Sequence, residues 1–239
     1  MWSAMSDSFT LPSENQLLAR LSDTAIRGLD FEYVKTKFGE DVLPPDETIN
    51  DLFFPVSAMI SVVGTMADGQ TAEIGVVGQE GAVGLVALMG ADSSPYTKAI
   101  QLGGDVIRVP VSSAKKVFDE NREFREDILL FIQKFMNQVA QTTLCNKWHA
   151  IDQRLIRWLL VHHDRVKGDM IHLTHEFIAQ MLGANRSTIT QAAQKLQEAG
   201  LIKYAWGKMT ILERSALESS CCECYEIIRK AYDEPHIKT

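Results

Sequence analysis

Residues 171–200 read IHLTHEFIAQMLGANRSTITQAAQKLQEAG, and the spacing of their apolar side chains decides the fold of the C-terminal half. Ile171-His172-Leu173 alternates like a short strand, and Thr174 has the side chain of a helix N-cap. A helix is predicted from Glu176 to Leu182, with Phe177, Ile178, Met181 and Leu182 facing inward. Gly183 follows where a helix ends in a left-handed residue, a conformation that glycine takes at no steric cost. Asn185 is read as the cap of a second helix from Arg186 to Ala199, which turns Ile189, Ala192, Ala193 and Leu196 inward and stops at Gly200. Two helices joined by about three residues that include a glycine form a helix-turn-helix. Beyond it, Leu201–Tyr204 and Lys208–Leu212 flank Ala205-Trp206-Gly207, a predicted β-hairpin that adds a wing.

The residue types on the second helix suit duplex DNA. Such a helix meets the major groove with its N-terminal end, which makes Asn185, Arg186, Ser187, Thr190 and Gln191 the candidates for base edges. Arginine can read guanine bidentately, and glutamine can read adenine. Thr174, Thr188, Lys203 and Lys208 suit phosphates, which set register without reading sequence. From Lys147 to Ser215, ten Lys and Arg face six Asp and Glu in a chain whose net charge is −7, so the acidity lies elsewhere. The competing reading is a merely solvated polar face. The wing and the local positive charge weigh against it.

Upstream, residues 112–166 contain neither proline nor glycine and are written in helix-forming residues. Leu129, Ile132, Met136, Val139 and Thr143 recur at alternating threes and fours, the stripe of a helix lying lengthwise on another helix. Ile128, Leu130, Phe131 and Phe135 make a second apolar face. A helix apolar on two sides needs two partners: the chain's own N-terminal half and the same helix of a second copy. The alternative is a central helix of one monomeric core. Asn146–His149 is a polar break, with Trp148 and His149 expected to pack at a hinge. Ala150–Val166 then resumes on Ile151, Leu155, Trp158, Leu159 and His162.

The N-terminal half alternates instead. Phe31–Lys35, Ala58–Gly64, Thr71–Gly78, Lys98–Leu102 and Asp105–Val109 read as short strands between glycine-bearing turns, which predicts an antiparallel roll after a helix near Ser13–Leu21. Composition agrees with a globular chain: 46% of the 239 residues are hydrophobic and 23% charged. Met1–Asp7 lacks a secretion-signal pattern, and Ala82–Ala91 is too short and glycine-interrupted to span a bilayer. Three of the four cysteines crowd into Cys221, Cys222 and Cys224, an arrangement unlike a disulfide framework, so a reducing cytoplasm is expected.

Two stretches, Asp152-Gln-Arg-Leu-Ile-Arg-Trp-Leu-Leu160 and Leu173-Thr-His-Glu-Phe-Ile-Ala-Gln-Met-Leu-Gly-Ala-Asn-Arg-Ser-Thr-Ile-Thr190, resemble the Crp–Fnr family of bacterial regulators. The resemblance spans nearly the whole chain. It implies an α+β protein with an N-terminal β-roll of the cyclic-nucleotide-binding type (residues 1–118), a dimerisation helix and hinge (119–147) and a winged helix-turn-helix (148–239). It also implies a pocket near Gly84, Leu85, Thr97 and Lys98. There the family's cyclic-AMP-binding glutamate and arginine are missing, and Lys98 should point to the other face of its strand. Arg186 matches the family's DNA-reading arginine, whereas Ser187 and Gln191 replace its glutamate and second arginine, so the operator should differ.

No metal or cofactor is expected. Cys-Cys-x-Cys is not the usual Cys-x-x-Cys ligand spacing, Cys145 lies in another element, and buried small residues explain the thiols. His162, His163, His172 and His175 are read as solvated or capping, and the glycines from Gly75 to Gly90 as turn residues without a Walker loop. No catalytic motif is found. The expected partners are double-stranded DNA, a second copy, RNA polymerase and an unidentified small-molecule effector, with no membrane. The other reading is a cyclic-nucleotide or small-ligand module that acts through protein contacts.

Overall fold

The computed structural model describes residues 14–233; the expectations for Met1–Asp7 and Ser13 lie outside them. Instead of a full helix up to Leu21, the chain makes a 3₁₀ turn at Leu18–Arg20 and then α1 (Asp23–Ile26), capped by Ser22. The cause is Asn15. Its buried amide donates to the carbonyls of Pro55 and Gly81 at 2.9 Å, while its Oδ1 accepts from the backbone of Leu17 and Leu18. Those bonds replace a helical start.

Seven strands form the roll: β1 (Glu32–Thr36), β2 (Asp41–Leu43), β3 (Asp51–Pro55), β4 (Met59–Thr65), β5 (Thr71–Val77), β6 (Thr97–Leu102) and β7 (Gly104–Pro110). They pair antiparallel in two sheets ordered β1-β7-β3 and β2-β6-β4-β5. The sequence alone did not show β2 or β3. β2 is three residues long and runs into Pro44-Pro45, and β3 ends in Pro55; both exist because β6 and β7 offer them a ladder.

The proline-free stretch divides into α2 (Val111–Glu120), α3 (Arg122–Trp148) and α4 (Ile151–His163). Asn121 makes the first break with an extended backbone, and its Oδ1 accepts the amide of Phe124 at 2.8 Å. At 27 residues α3 is about 40 Å long. One face puts Phe124, Ile128 and Phe131 into the core of the roll, with Phe135 packed against it. Here the glycines matter for contact and not only for turns: a Cβ on Gly81 would lie 2.0 Å from the Phe131 ring, and one on Gly75 2.8 Å from Phe135. Along the other face the described residues leave several apolar side chains open, although Ile132 packs in part against the core of the roll. Leu129 is 46% exposed, Met136 65% and Trp148 74%; Thr143 is exposed, and Ile132 and Val139 are partly buried. Trp148 therefore extends the exposed apolar face and does not pack at the break.

The C-terminal unit adds β8 (Met170–His172), α5 (His175–Leu182), α6 (Arg186–Glu198), β9 (Ile202–Ala205), β10 (Lys208–Ile211), α7 (Arg214–Ser219) and α8 (Glu223–Asp233), with a sheet ordered β8-β10-β9. It shares a core with the roll, where Met59, Val63 and Val76 meet Trp158 and Leu159 of α4. A buried polar knot sits at this seam. Glu73 accepts from Trp158 Nε1 at 2.9 Å and from Ser61 Oγ at 2.8 Å. The His162 ring lies 2.6 Å from the Trp158 carbonyl through Nδ1, and its Nε2 is 2.9 Å from Gln101 Oε1 and 3.4 Å from Glu73 Oε2. His162 is thus fully buried, in keeping with its place on the apolar stripe of α4 and not solvated as its polarity suggests, and polar groups of the roll's strands hold it.

Candidate nucleic-acid interface

The two helices of the 171–200 stretch form from local signals. Thr174 caps α5, its Oγ1 accepting from the Phe177 amide at 3.1 Å, and Gly183 ends that helix at φ 57°. Ile178, Met181, Leu182, Ile189, Ala192, Ala193 and Leu196 are buried between the helices and α4. Phe177 departs from the expectation: it is only partly buried, and its ring meets Phe38 of the roll edge-on at 5.2 Å. Asn185 stands at the N-cap of α6, but only its backbone carbonyl takes part, accepting from Thr188 and Ile189. Its side-chain amide remains unspent on the helix.

Asn185, Arg186, Ser187 and Gln191 are all exposed at the start of α6, and Thr188 is partly buried. The Arg186 guanidinium lies 3.8 Å from the Glu176 carboxylate, both well exposed, a weak pairing that DNA can displace. Thr190 is less free than its exposure suggests. Its hydroxyl donates to the Arg186 carbonyl at 2.9 Å, and His175 Nδ1 is 3.0 Å away. His175 itself stacks on Tyr204 with ring centroids 4.0 Å apart. Burial, then the nearby Arg186 charge, lowers its pKa below the ordinary histidine value. Gln197 Oε1 accepts the Tyr204 amide at 2.8 Å and ties the wing to α6.

Lys203 and Lys208 are exposed on the paired wing strands, where Lys208 faces Ala205 and Thr210 faces Lys203. The tip holds a residue that the sequence reading passed over. Trp206 and Gly207 have φ of 55° and 73°, the left-handed pair of a tight hairpin turn, and Trp206 is 98% exposed. An indole placed at a turn position that disfavours bulky residues was the available signal.

Of the candidate pocket residues of the roll, Gly84, Leu85 and Lys98 are buried. Gly84 turns at φ 89°, with an added Cβ only 3.0 Å from the Asp51 carbonyl, and Leu85 belongs to the core. Thr97 is partly buried. Lys98 faces inward on the same side of β6 as buried Ile100, opposite Thr97, and is 6% exposed. Its ammonium donates to Ser94 Oγ at 2.5 Å and to the Tyr96 carbonyl at 2.7 Å, and burial lowers its pKa to about 8. The thiols also depart from the sequence reading, which held Cys145 apart from the C-terminal cysteines. Cys145 Sγ is 3.8 Å from Cys222 Sγ, and Cys224 Sγ is 3.4 Å from His149 Nδ1.

Residues 153–220 match the Crp-like helix-turn-helix domain family. The chain is 20% identical over 220 residues to the global nitrogen regulator of Synechococcus elongatus, covering 87% of this chain and 97% of that one. FixK2 from Bradyrhizobium japonicum superposes with a TM-score of 0.71 at 16% identity, over 81% of this chain and 98% of FixK2. A protein assigned to the Crp/Fnr transcriptional regulators from Eubacterium rectale gives 0.69 at 18% identity, over 90% and 99%. No helix among the described residues is long and apolar enough to cross a membrane. The chain thus has the fold of the Crp/Fnr proteins and carries a Crp-like helix-turn-helix domain over residues 153–220.

Proposed function

We propose that the chain binds double-stranded DNA as a cytoplasmic homodimer and regulates transcription through contact with RNA polymerase, without enzymatic activity. The observation that carries this reading is the pairing of two uncovered surfaces on one chain: the apolar face of α3 and the polar N-terminal edge of α6. The α3 helices of two copies pack along Leu129, Ile132, Met136, Val139 and Thr143. The two α6 helices then enter successive major grooves about 34 Å apart. Asn185, Arg186, Ser187 and Gln191 read base edges, with Thr190 restricted by its own helix. Thr174, Thr188, Lys203 and Lys208 hold phosphates, and Trp206 at the wing tip lies against the backbone beside the groove.

An effector would enter through the roll. Gly84, Leu85, Thr97 and Lys98 are the candidate residues, and cyclic AMP is not the expected ligand, because Lys98 is occupied by Ser94 and Tyr96 and no arginine replaces it. The seam of Glu73, Trp158 and His162 is the route by which movement of the roll would reach the winged domain.

Selection of bound fragments from random DNA, followed by salt titration, tests the reading. Affinity should fall steeply with salt as phosphate counterions are released. Salt-insensitive or absent binding would favour the ligand module acting through protein contacts. Arg186→Ala should cost about 1–3 kcal/mol on the selected operator and relax preference at one base position. Lys208→Ala should weaken all duplexes about equally and reduce the logarithmic salt slope by about 1. Equal losses on selected and random DNA for Arg186→Ala would remove it from base reading.

A further inference from the structure

Cys145 lies in the last turn of α3, and His149 is the residue that caps it, four positions on and one helical turn along the same side. Cys222 immediately precedes α8, and Cys224 is in its first turn. The fold brings these four together although 77 positions separate Cys145 from Cys222. Their ligand atoms, three sulfurs and one ring nitrogen, all lie within 4.8 Å of one another, and the three cysteines are buried. No disulfide joins them.

The separations identify the kind of ion. A tetrahedral zinc site with Zn–S of about 2.3 Å and Zn–N of about 2.0 Å has S–S edges of about 3.8 Å and S–N edges of about 3.5 Å. The Cys145–Cys222 distance of 3.8 Å and the Cys224–His149 distance of 3.4 Å are such edges. A four-iron cluster would spread its cysteine sulfurs well beyond 4.8 Å, so the arrangement suits one ion and not a cluster.

The surroundings are those of metal ligands. His149 points Nδ1 at Cys224, and its Nε2 lies 3.5 Å from the Glu223 carboxylate, the relation that orients a ligating histidine and fixes its tautomer. Gln141 Nε2 donates to Cys224 Sγ at 3.1 Å. Arg157 is buried, bonds Thr142 Oγ1 through Nη1 at 3.2 Å, and leaves its Nε without a partner. Three thiolates on a divalent ion carry one net negative charge, which a neighbouring guanidinium offsets. Cys221, partly buried, is not one of the four.

We propose that Cys145, His149, Cys222 and Cys224 form a Cys₃His site for a single zinc-type divalent ion that clamps the end of α3 to the start of α8. On binding, each of the three thiols loses its proton to solvent and donates a sulfur lone pair, and His149 donates the lone pair of Nδ1. The clamp spans the break between α3 and α4 at His149–Ala150, where the winged domain joins the helix of the proposed dimer. The coordination does not depend on DNA binding, so failure of one reading leaves the other standing.

The test is anaerobic titration of the full chain, stripped of metal, with Co²⁺. A single equivalent should give the intense visible bands of tetrahedral cobalt with thiolate charge transfer, and Zn²⁺ should displace it. Cys222→Ser and Cys224→Ser should abolish those bands, Cys221→Ser should keep them, and Glu223→Gln should weaken binding about 10–100-fold. The wild-type spectrum alone reports the ligand set, so it decides the matter even where a serine variant fails to fold. Pale octahedral cobalt, bands that persist in both serine variants, a Cys145–Cys222 disulfide in the untreated protein, or iron–sulfur absorption after reconstitution would each overturn the proposal.

Discussion

Met136→Glu should leave the fold intact, produce a monomer, and lower affinity for a two-half-site operator by about 10²–10⁴-fold. Met136 is 65% exposed in the single chain, so a carboxylate there meets water and costs the isolated fold little. In the proposed dimer the same side chain lies at the centre of the stripe between Leu129 and Thr143, and two facing carboxylates would be brought together away from solvent. The loss on DNA is large because the second half-site is bound intramolecularly in a dimer and independently in a monomer. Sedimentation and circular dichroism check the two structural claims, and a single half-site duplex serves as the control whose affinity should be nearly unchanged. A variant that remains dimeric would place the interface elsewhere.

Glu73→Ala should destabilise the chain by about 3–5 kcal/mol, because it leaves buried groups without their partner. Trp158 Nε1 and Ser61 Oγ lose an acceptor, and His162 and Arg157 lose the carboxylate whose charge they share. Urea unfolding followed by tryptophan fluorescence reads the change directly, since Trp158 is the reporter beside the lesion. The pH dependence has a definite sign. Burial alone would raise the Glu73 pKa, but the His162 charge and hydrogen bond, the Ser61 hydroxyl and the Arg157 charge together bring it below its ordinary 4.5. A carboxylate depressed in the folded state contributes stability above the unfolded value, and that contribution is lost as pH falls through the folded value. Below about pH 4.5 the difference between wild type and Glu73→Ala should therefore shrink. A constant difference down to the acid transition would mean that packing, and not charge, sets the cost.

These two residues also mark how far a linear reading reaches. Met136 was found through the threes and fours of its stripe, because exposure on a long helix follows directly from period. Glu73 carried no signal. It sits among Thr71, Ala72 and Ile74 in a strand, and its partners come from positions 61, 158 and 162. Lys98 is expected on the face of β6 opposite Thr97, and only the packing shows that this face is the buried one, with Ser94 and Tyr96 as partners of its ammonium. Phe177 had the inward spacing of its helix, yet the roll supplied Phe38 as another partner.

Local signals suffice for the caps and glycines of the helix-turn-helix, the hairpin of the wing, the two-faced α3 and the polar residues at the start of α6. Each depends on contacts a few positions apart, so period and turn chemistry suffice to place it. Long-range packing is what buries the Lys98 face of β6, requires Gly75 and Gly81 to lack a Cβ, joins the roll to α4, and brings Cys145 and His149 to Cys222 and Cys224. Those features join residues tens of positions apart, and their geometry follows from how sheets and helices pack, which no short window of the chain contains.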